Sequence, residues 1–331
     1  MTFINKEMGK NKTKIAVRIR TDNAFFAIEE LNQLFGEKPL RTENKIAVYN
    51  ATKENISNIK KAGYSKKSWI VLAESQSKKE ILEKTKNVHK EHFKGYKTFK
   101  VETETYGKKE GAPIKKDIAN IVLDKTNISV NVTEPNLQLT YLVSDKHYLC
   151  VDQWTRNKRI NERRPDRLPR PHPTGVHPLL SRAMVNIVKA ENKILDPFCG
   201  AGGILLEAAT LGLESEGYDI DSRMIDRAKE NTQKYKDKIN LEKTNCFEKS
   251  FKDAYIVTDI PYGRNSTIKE NTYRLFEKFI QKTMRERAKK VCVMYPKTPT
   301  SCKIMNKVEH KSFDFPVNKS LTRRMSVYHP S

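Results

Sequence analysis

Apolar positions in the second half of the chain follow two alternating periods. "KILD" (193–196), "AYIVT" (254–258) and "KKVCVMYP" (289–296) are short, dense runs of the kind that form buried strands. "SEGYDI" (215–220) and "INLEKT" (239–244) read as two further strands. Between them lie stretches with helical spacing: "ILLEAATLG" (204–212), "SRMIDRAKENTQKY" (222–235) and "KENTYRLFEKFIQKTMRERA" (269–288). The last places Tyr273, Phe276, Phe279 and Ile280 on one face. Strands alternating with helices predict a parallel sheet covered on both faces. Two closing extended pieces, 307–315 and 323–329, predict a hairpin rather than another crossover.

The first half follows a different rhythm. "KIAVRIR" (14–20), a helical 24–36, "KIAVYN" (45–50), a helical 53–63 and "SWIVLA" (68–73) predict a small βαβ-type layer. A lysine-rich helical stretch (76–92), a strand at 97–107 and a helix at 112–127 follow. Extended pieces at 128–132, 137–144 and 147–154 complete a second small α+β module. The boundaries expected from these changes are 1–75, 76–153, an Arg/Pro-rich linker at 154–175, and 176–331.

Charge sharpens the picture. The 331 residues carry a net charge of +23, which favours a polyanionic partner, most simply a nucleic acid. Residues 155–184 concentrate seven Arg and one Lys against Glu162 and Asp166, in a chain otherwise rich in Lys. Arg binds phosphate bidentately, as Lys cannot, so Arg163, Arg164, Arg167 and Arg170 are candidate RNA contacts. The N-terminal stretch lacks the apolar segment of a signal peptide, and no run of about 18 apolar residues occurs. The five cysteines form no CxxC pair and the seven histidines no metal constellation. A reducing cytoplasm and no bound metal are expected.

Candidate chemistry gathers at the strand ends. "LDPFCGAGG" (195–203) sets Gly200, Gly202 and Gly203 between a strand and a helix, where backbone amides can approach a ligand closely. Asp219 ends the next strand, about 20 residues on, the spacing of a ribose-binding acid. The turn is neither GxxxxGK[ST] nor GxGxxG, which argues against a nucleotide triphosphatase and a nicotinamide enzyme. Asp196 ahead of the glycines suits a ligand bearing an ammonium group. "TDIPYG" (258–263) then puts a carboxylate, a rigid proline and an aromatic at the mouth of the sheet.

"DPFCGAGG", "GYDID" and "TDIPYG" resemble the first, second and fourth motifs of the class I S-adenosylmethionine-dependent methyltransferases. The fourth is similar to the [DNS]PP[YF] signature of enzymes that methylate exocyclic or amide nitrogens. The resemblance implies that Asp196, Phe198, Gly200 and Gly202 hold the methionine part of the cofactor. It implies also that Asp219 holds the ribose and that Ile220 packs on adenine, with Asn245 and Cys246 at its edge. Asn245 departs from the usual Asp, and Ile260 from the usual first proline. Residues 97–151 resemble a THUMP domain, a module of tRNA-modifying enzymes. Residues 170–187 resemble the approach to the catalytic domain in archaeal tRNA (guanine(10)-N2)-methyltransferases, in which Thr174 would reach the cofactor carboxylate.

The implied fold is a Rossmann-like class I methyltransferase domain with a mostly parallel seven-stranded sheet and a C-terminal hairpin. Ferredoxin-like and THUMP modules would precede it. In the catalytic reading, Asp259 and the carbonyl of Ile260 accept the two N–H bonds of an exocyclic amine, so that its lone pair faces the sulfonium methyl. Pro261 stiffens the loop, and Tyr262 stacks on the extruded base. Arg264 is a further candidate phosphate contact. The expected substrate is guanine N2 in tRNA, receiving one or two methyls. A DNA or RNA N6-adenine or N4-cytosine methyltransferase and a catalytically inactive RNA-binding adaptor are the alternatives. The expected state is a monomer, with a small zinc-binding activator protein, known for some relatives, as a candidate partner.

Overall fold

A computed structural model describes residues 12–107, 114–173, 175–261, 272–318 and 321–330. Tyr262 and Arg264, and Thr174, lie outside the described residues. Contacts divide the chain into two compact units. One comprises residues 1–24, 35–60 and 65–156; the other comprises 25–34, 61–64 and 157–331.

In the first unit the strands are β1 (Thr13–Ile19), β2 (Arg41–Glu43), β3 (Ile46–Ala51), β4 (Ser65–Ser75), β5 (Thr98–Thr105), β6 (Ser129–Val130), β7 (Leu137–Val143) and β8 (His147–Thr155). They form one eight-stranded sheet in the order β2-β3-β1-β4-β8-β7-β5-β6. Residues 1–75 and 76–153 were expected to be separate modules, yet the pairing of β4 with β8 joins them in one sheet. Trp69, Leu142, Tyr148 and Cys150 fill part of its core.

In the second unit β9 (Lys193–Asp196), β10 (Glu214–Asp219), β11 (Ile239–Lys243), β12 (Tyr255–Asp259), β13 (Lys290–Pro296), β14 (Lys311–Asn318) and β15 (Leu321–Tyr328) make a seven-stranded sheet. Its order is β11-β10-β9-β12-β13-β15-β14. The strands from β11 to β13 pair in parallel, and β15 runs antiparallel to both β13 and β14, as the sequence pattern predicts. The Thr272–Arg285 helix buries Leu275, Phe276, Phe279 and Ile280 against Ile256, Val291 and Val293. Tyr273, expected on the same face, is only half-buried.

Residues 25–34 and 61–64 join this second unit, although the sequence boundaries put them elsewhere. The reason is packing. Phe26 meets Phe313 and Phe315 of β14 edge-on, at centroid distances of 5.4 and 5.2 Å. Glu30, fully buried, accepts from the backbone amides of Gly63 and Tyr64 at 2.7 and 2.8 Å and from Asn186 Nδ2 at 2.7 Å. Three donors satisfy a carboxylate whose burial pushes its pKa up.

Candidate active site

The sheet order reverses between β9 and β12, the place where open α/β sheets bind ligands outside the carboxyl ends of their strands. A cavity of about 580 Å³ opens there. Its lining includes Asp196, Phe198, Gly200, Asp219, Ile220, Asn245, Cys246, Asp259, Ile260 and Pro261. Nearly every described cofactor and catalytic candidate therefore shares one cavity. Gly202, the exception, stands just behind it.

Asp196 ends β9 and is 1% exposed. Its carboxylate accepts from Thr258 Oγ1 at 2.7 Å and from the Phe198 amide at 3.2 Å. Burial, reinforced by the charges of Asp259 and Asp219 against those two bonds, pushes its pKa up to about 7. Among the described residues no ion pair reaches this acid, and a cationic group beside it would supply a counter-charge. Gly200, at φ +49°, has nothing within 4 Å of a would-be Cβ, so its backbone faces open space. Gly202, at φ +84°, lets the Gly203–Thr210 helix start against the Ser222–Thr232 helix, since a Cβ there would lie 3.2 Å from Ala228 Cβ and Thr232 Cγ2.

Asp219 accepts from the amides of Gly200 (3.0 Å) and Asp221 (2.9 Å). Each oxygen keeps a further lone pair for a vicinal diol. Burial raises its pKa as well. Ile220 is 47% exposed, an apolar side chain left open on the cavity wall. Asn245 Oδ1 caps the following turn by accepting from Phe247 at 3.1 Å. The Asn therefore serves the backbone while its residue lines the cavity. Cys199 is buried within the glycine turn, where desolvation keeps its thiol protonated. These residues fit an adenosyl group bearing an ammonium: an anion for the cation, open amides for a carboxylate, an acid for the ribose and an apolar face for the base.

Asp259 ends β12. Its carboxylate forms an ion pair with Arg323 of β15. Burial raises its pKa and the Arg323 charge opposes that rise. Ile260 donates its amide to Met294 O at 2.9 Å and buries its side chain completely in the core. A proline could not make that hydrogen bond, which explains the departure from the usual motif, and what Ile260 offers a polar ligand is its main chain.

Two residues of this site escape a reading by motif, Arg323 and Glu207, while Thr258 stands inside the TDIPYG stretch and holds Asp196. Glu207 is fully buried in the Gly203–Thr210 helix. It accepts from Arg163 at 2.6 and 3.1 Å and from Arg182 at 2.9 Å. Arg163, expected on RNA, is instead committed to this buried triad. The triad fastens the Arg/Pro-rich linker onto the cavity, where its Pro165, Leu168 and His172 form a wall together with Val176. Arg170 pairs with Glu230 at 2.9 Å and Arg164 with Asp166 at 3.0 Å; both are exposed, as is Arg167.

The comparisons agree with this geometry. Residues 165–324 match a family model described as "RMKL-like, methyltransferase domain". A second model, described as "DNA methylase", matches residues 3–230 and stops before β12, so it does not read the strand end that bears Asp259. The chain is similar to the tRNA (guanine(10)-N2)-dimethyltransferase of Pyrococcus abyssi, with 28% identity over 73% of this chain and 76% of that one. It is 35% identical to the same enzyme of Methanothermobacter thermautotrophicus over 53% of this chain, spanning 54% of that relative. It is 30% identical to the probable one of Methanothermococcus thermolithotrophicus over 45% of this chain and 96% of that one. Among solved structures, TrmN from Thermus thermophilus superposes with a TM-score of 0.55 at 15% identity, over 96% of this chain and 99% of that one. A possible methylase from Clostridium difficile 630 gives 0.53 at 17% identity, over 97% and 99%. With the glycine turn, the ribose-type acid and the Asp-Ile-Pro strand end at one switch point, the chain belongs to the tRNA (guanine(10)-N2)-dimethyltransferase family of class I methyltransferases.

Proposed function

We propose that this protein transfers one or two methyl groups from S-adenosylmethionine to the exocyclic N2 of guanosine 10 in tRNA. The observation that carries the reading is the opening of the Asp259 carboxylate onto the same cavity as Asp196, Gly200 and Asp219. S-adenosylmethionine, when bound, supplies an electrophilic methyl on a sulfonium. Asp196 answers the ligand's ammonium and the glycine-turn amides its carboxylate, while Asp219 takes the ribose.

Asp259 orients the acceptor. An aromatic amine is a weak nucleophile because its lone pair is shared with the ring. A carboxylate that accepts from the amine draws its N–H away from the methyl and leaves the lone pair in line with it. Asp259 would hold the amine in that orientation while the bound cofactor supplied its methyl, and the same carboxylate could accept the proton that the methylated amine sheds. Positioning supplies most of the rate. An ionised carboxylate is acceptor-only, which favours guanine. Guanine presents N1–H and N2–H side by side, whereas the amines of adenine and cytosine adjoin a ring nitrogen that accepts.

The tRNA partner is supported by charge. In the first unit Lys66 sits among Arg18, Arg20 and Arg156, and its pKa is depressed by burial and then by those three cations. Such a gathering suits a phosphate backbone. Within the one eight-stranded sheet we assign the strands of residues 1–75 to a ferredoxin-like half and those of 76–153 to a THUMP-like RNA-binding half. The parallel β5–β7 pair, with the Ile114–Lys125 helix between its strands in sequence, supports the second assignment. Arg164, Arg167 and Arg170 remain candidate RNA contacts. No described helix is long and apolar enough to cross a membrane, and a monomer acting in the cytoplasm is the proposed state.

The test is mass spectrometry of nucleosides from unmodified tRNA incubated with the protein and S-adenosylmethionine. N2-methylated guanosine is expected. N6-methyladenosine or N4-methylcytidine would move the reading to the alternative amines, and no methylated nucleoside would favour an adaptor.

A further inference from the structure

Arg323 stands outside every motif of the sequence, yet its guanidinium meets Asp259 in the cavity, with both side chains largely withdrawn from water. Its neighbour Arg324 takes a more ordinary course and pairs with Asp314 across the hairpin at 2.7 Å. Consecutive strand residues face opposite sides of a sheet, so one arginine braces the hairpin while the other reaches the strand end that carries the chemistry.

Asp259 needs such a partner. Around it lie Asp196 at the end of β9 and Asp219 at the end of β10, both acidic. From β13 its register partner is Met294, which carries no charge. Burial favours the neutral carboxyl and the Arg323 charge opposes it, while the Asp259 charge in turn pushes the Asp196 carboxyl up. A protonated carboxyl would turn an O–H donor toward an incoming N–H donor, which is the wrong polarity for holding an amine. Among the described charged groups lining the cavity, Arg323 is the one that pairs with Asp259.

We propose that Arg323 is a positioning residue for methyl transfer: it pins the Asp259 carboxylate and holds it as a pure hydrogen-bond acceptor for the N–H edge of guanine. The proposal rests on the guanine-N2 reading for the identity of the acceptor, but not for the state of Asp259.

Two measurements separate these. The first follows the side-chain carboxyl carbon of Asp259 by NMR in protein labelled with ¹³C-aspartate, its signal assigned by loss in Asp259→Asn. In Arg323→Gln the signal should titrate higher than in the wild type by about one pH unit or more, and Arg323→Lys should restore most of the difference. This result is independent of any RNA. The second is the pH profile of single-turnover methyl transfer to tRNA. Arg323→Gln should move the acid limb upward by the same interval, with a rate loss of about tenfold or more on that limb that narrows as pH rises. Cofactor affinity should change by less than about threefold, well below the tenfold that one pKa unit represents.

An unshifted Asp259 titration in a folded Arg323→Gln protein would overturn the proposal. So would a uniform rate loss with an unmoved acid limb, or a faster enzyme, which would make the pair a block on the site. A shifted titration in a protein that methylates no tRNA would uphold the role of Arg323 and overturn the guanine reading instead.

Discussion

Asp196→Asn should make the protein more stable and nearly unable to bind its cofactor. The wild-type carboxyl is buried with its pKa raised from 3.8 to about 7. Between those values the native state holds more protons than the unfolded chain, so stability falls as pH rises through that window. Above about pH 7 the full cost of ionisation is present. Three pKa units correspond to at most about 4 kcal/mol; water penetration and relaxation reduce this to about 2 kcal/mol. Asparagine keeps the shape and still accepts from Thr258 Oγ1, but it does not ionise. Urea unfolding of the ligand-free proteins should show the variant ahead by about 2 kcal/mol at pH 8, with the gain vanishing near pH 4. Calorimetry should show S-adenosylmethionine binding weakened about 10²-fold or more, as expected when a buried charge pair is lost. A variant less stable than wild type at pH 8, or one that binds the cofactor normally, would refute the reasoning.

Glu207→Gln should leave Arg163 and Arg182 facing a neutral partner in a buried site, costing about 3–5 kcal/mol; a lowered melting temperature together with weaker cofactor binding would be the signature, because the fastened segment walls the cavity. Gly202→Ala combines φ +84° with Cβ contacts of 3.2 Å. It should cost about 1–3 kcal/mol, seen as a fall in melting temperature that S-adenosylmethionine only partly restores. Affinity for tRNA should fall steeply with salt, by about 10²-fold or more between roughly 50 and 200 mM if several phosphates are contacted; a flat dependence in filter binding would remove the charge-based reading of the basic residues.

The legible parts of this site were local. The glycine turn, Asp219 and the Asp-Ile-Pro strand end announce themselves because short spacings fix how a strand, a turn and a helix can meet. The Asp259–Arg323 pair does not, because it joins β12 to a hairpin strand that only the sheet order brings near. Glu207 sits in an apolar helical run, so its sequence environment gives no hint of two arginine partners. Arg163 misled for the same reason: an arginine-rich stretch looks uniform in sequence, whereas burial distinguishes its members. The amphipathic 24–36 stretch was recognisable as a helix, but that its Phe26 packs on β14 follows from packing that no periodicity encodes. Ile260 departs from the motif because its side chain fills the core and its amide bonds Met294.

The most direct test of the central claim is single-turnover methyl transfer by Asp259→Ala, with folding checked by circular dichroism and cofactor affinity by calorimetry. The account predicts a rate loss of about 10³-fold or more, the scale of lost orientation, with cofactor affinity held within about threefold, far less than the tenfold of one pKa unit. Transfer at the wild-type rate, or parallel loss of cofactor binding and transfer in a folded protein, would contradict it.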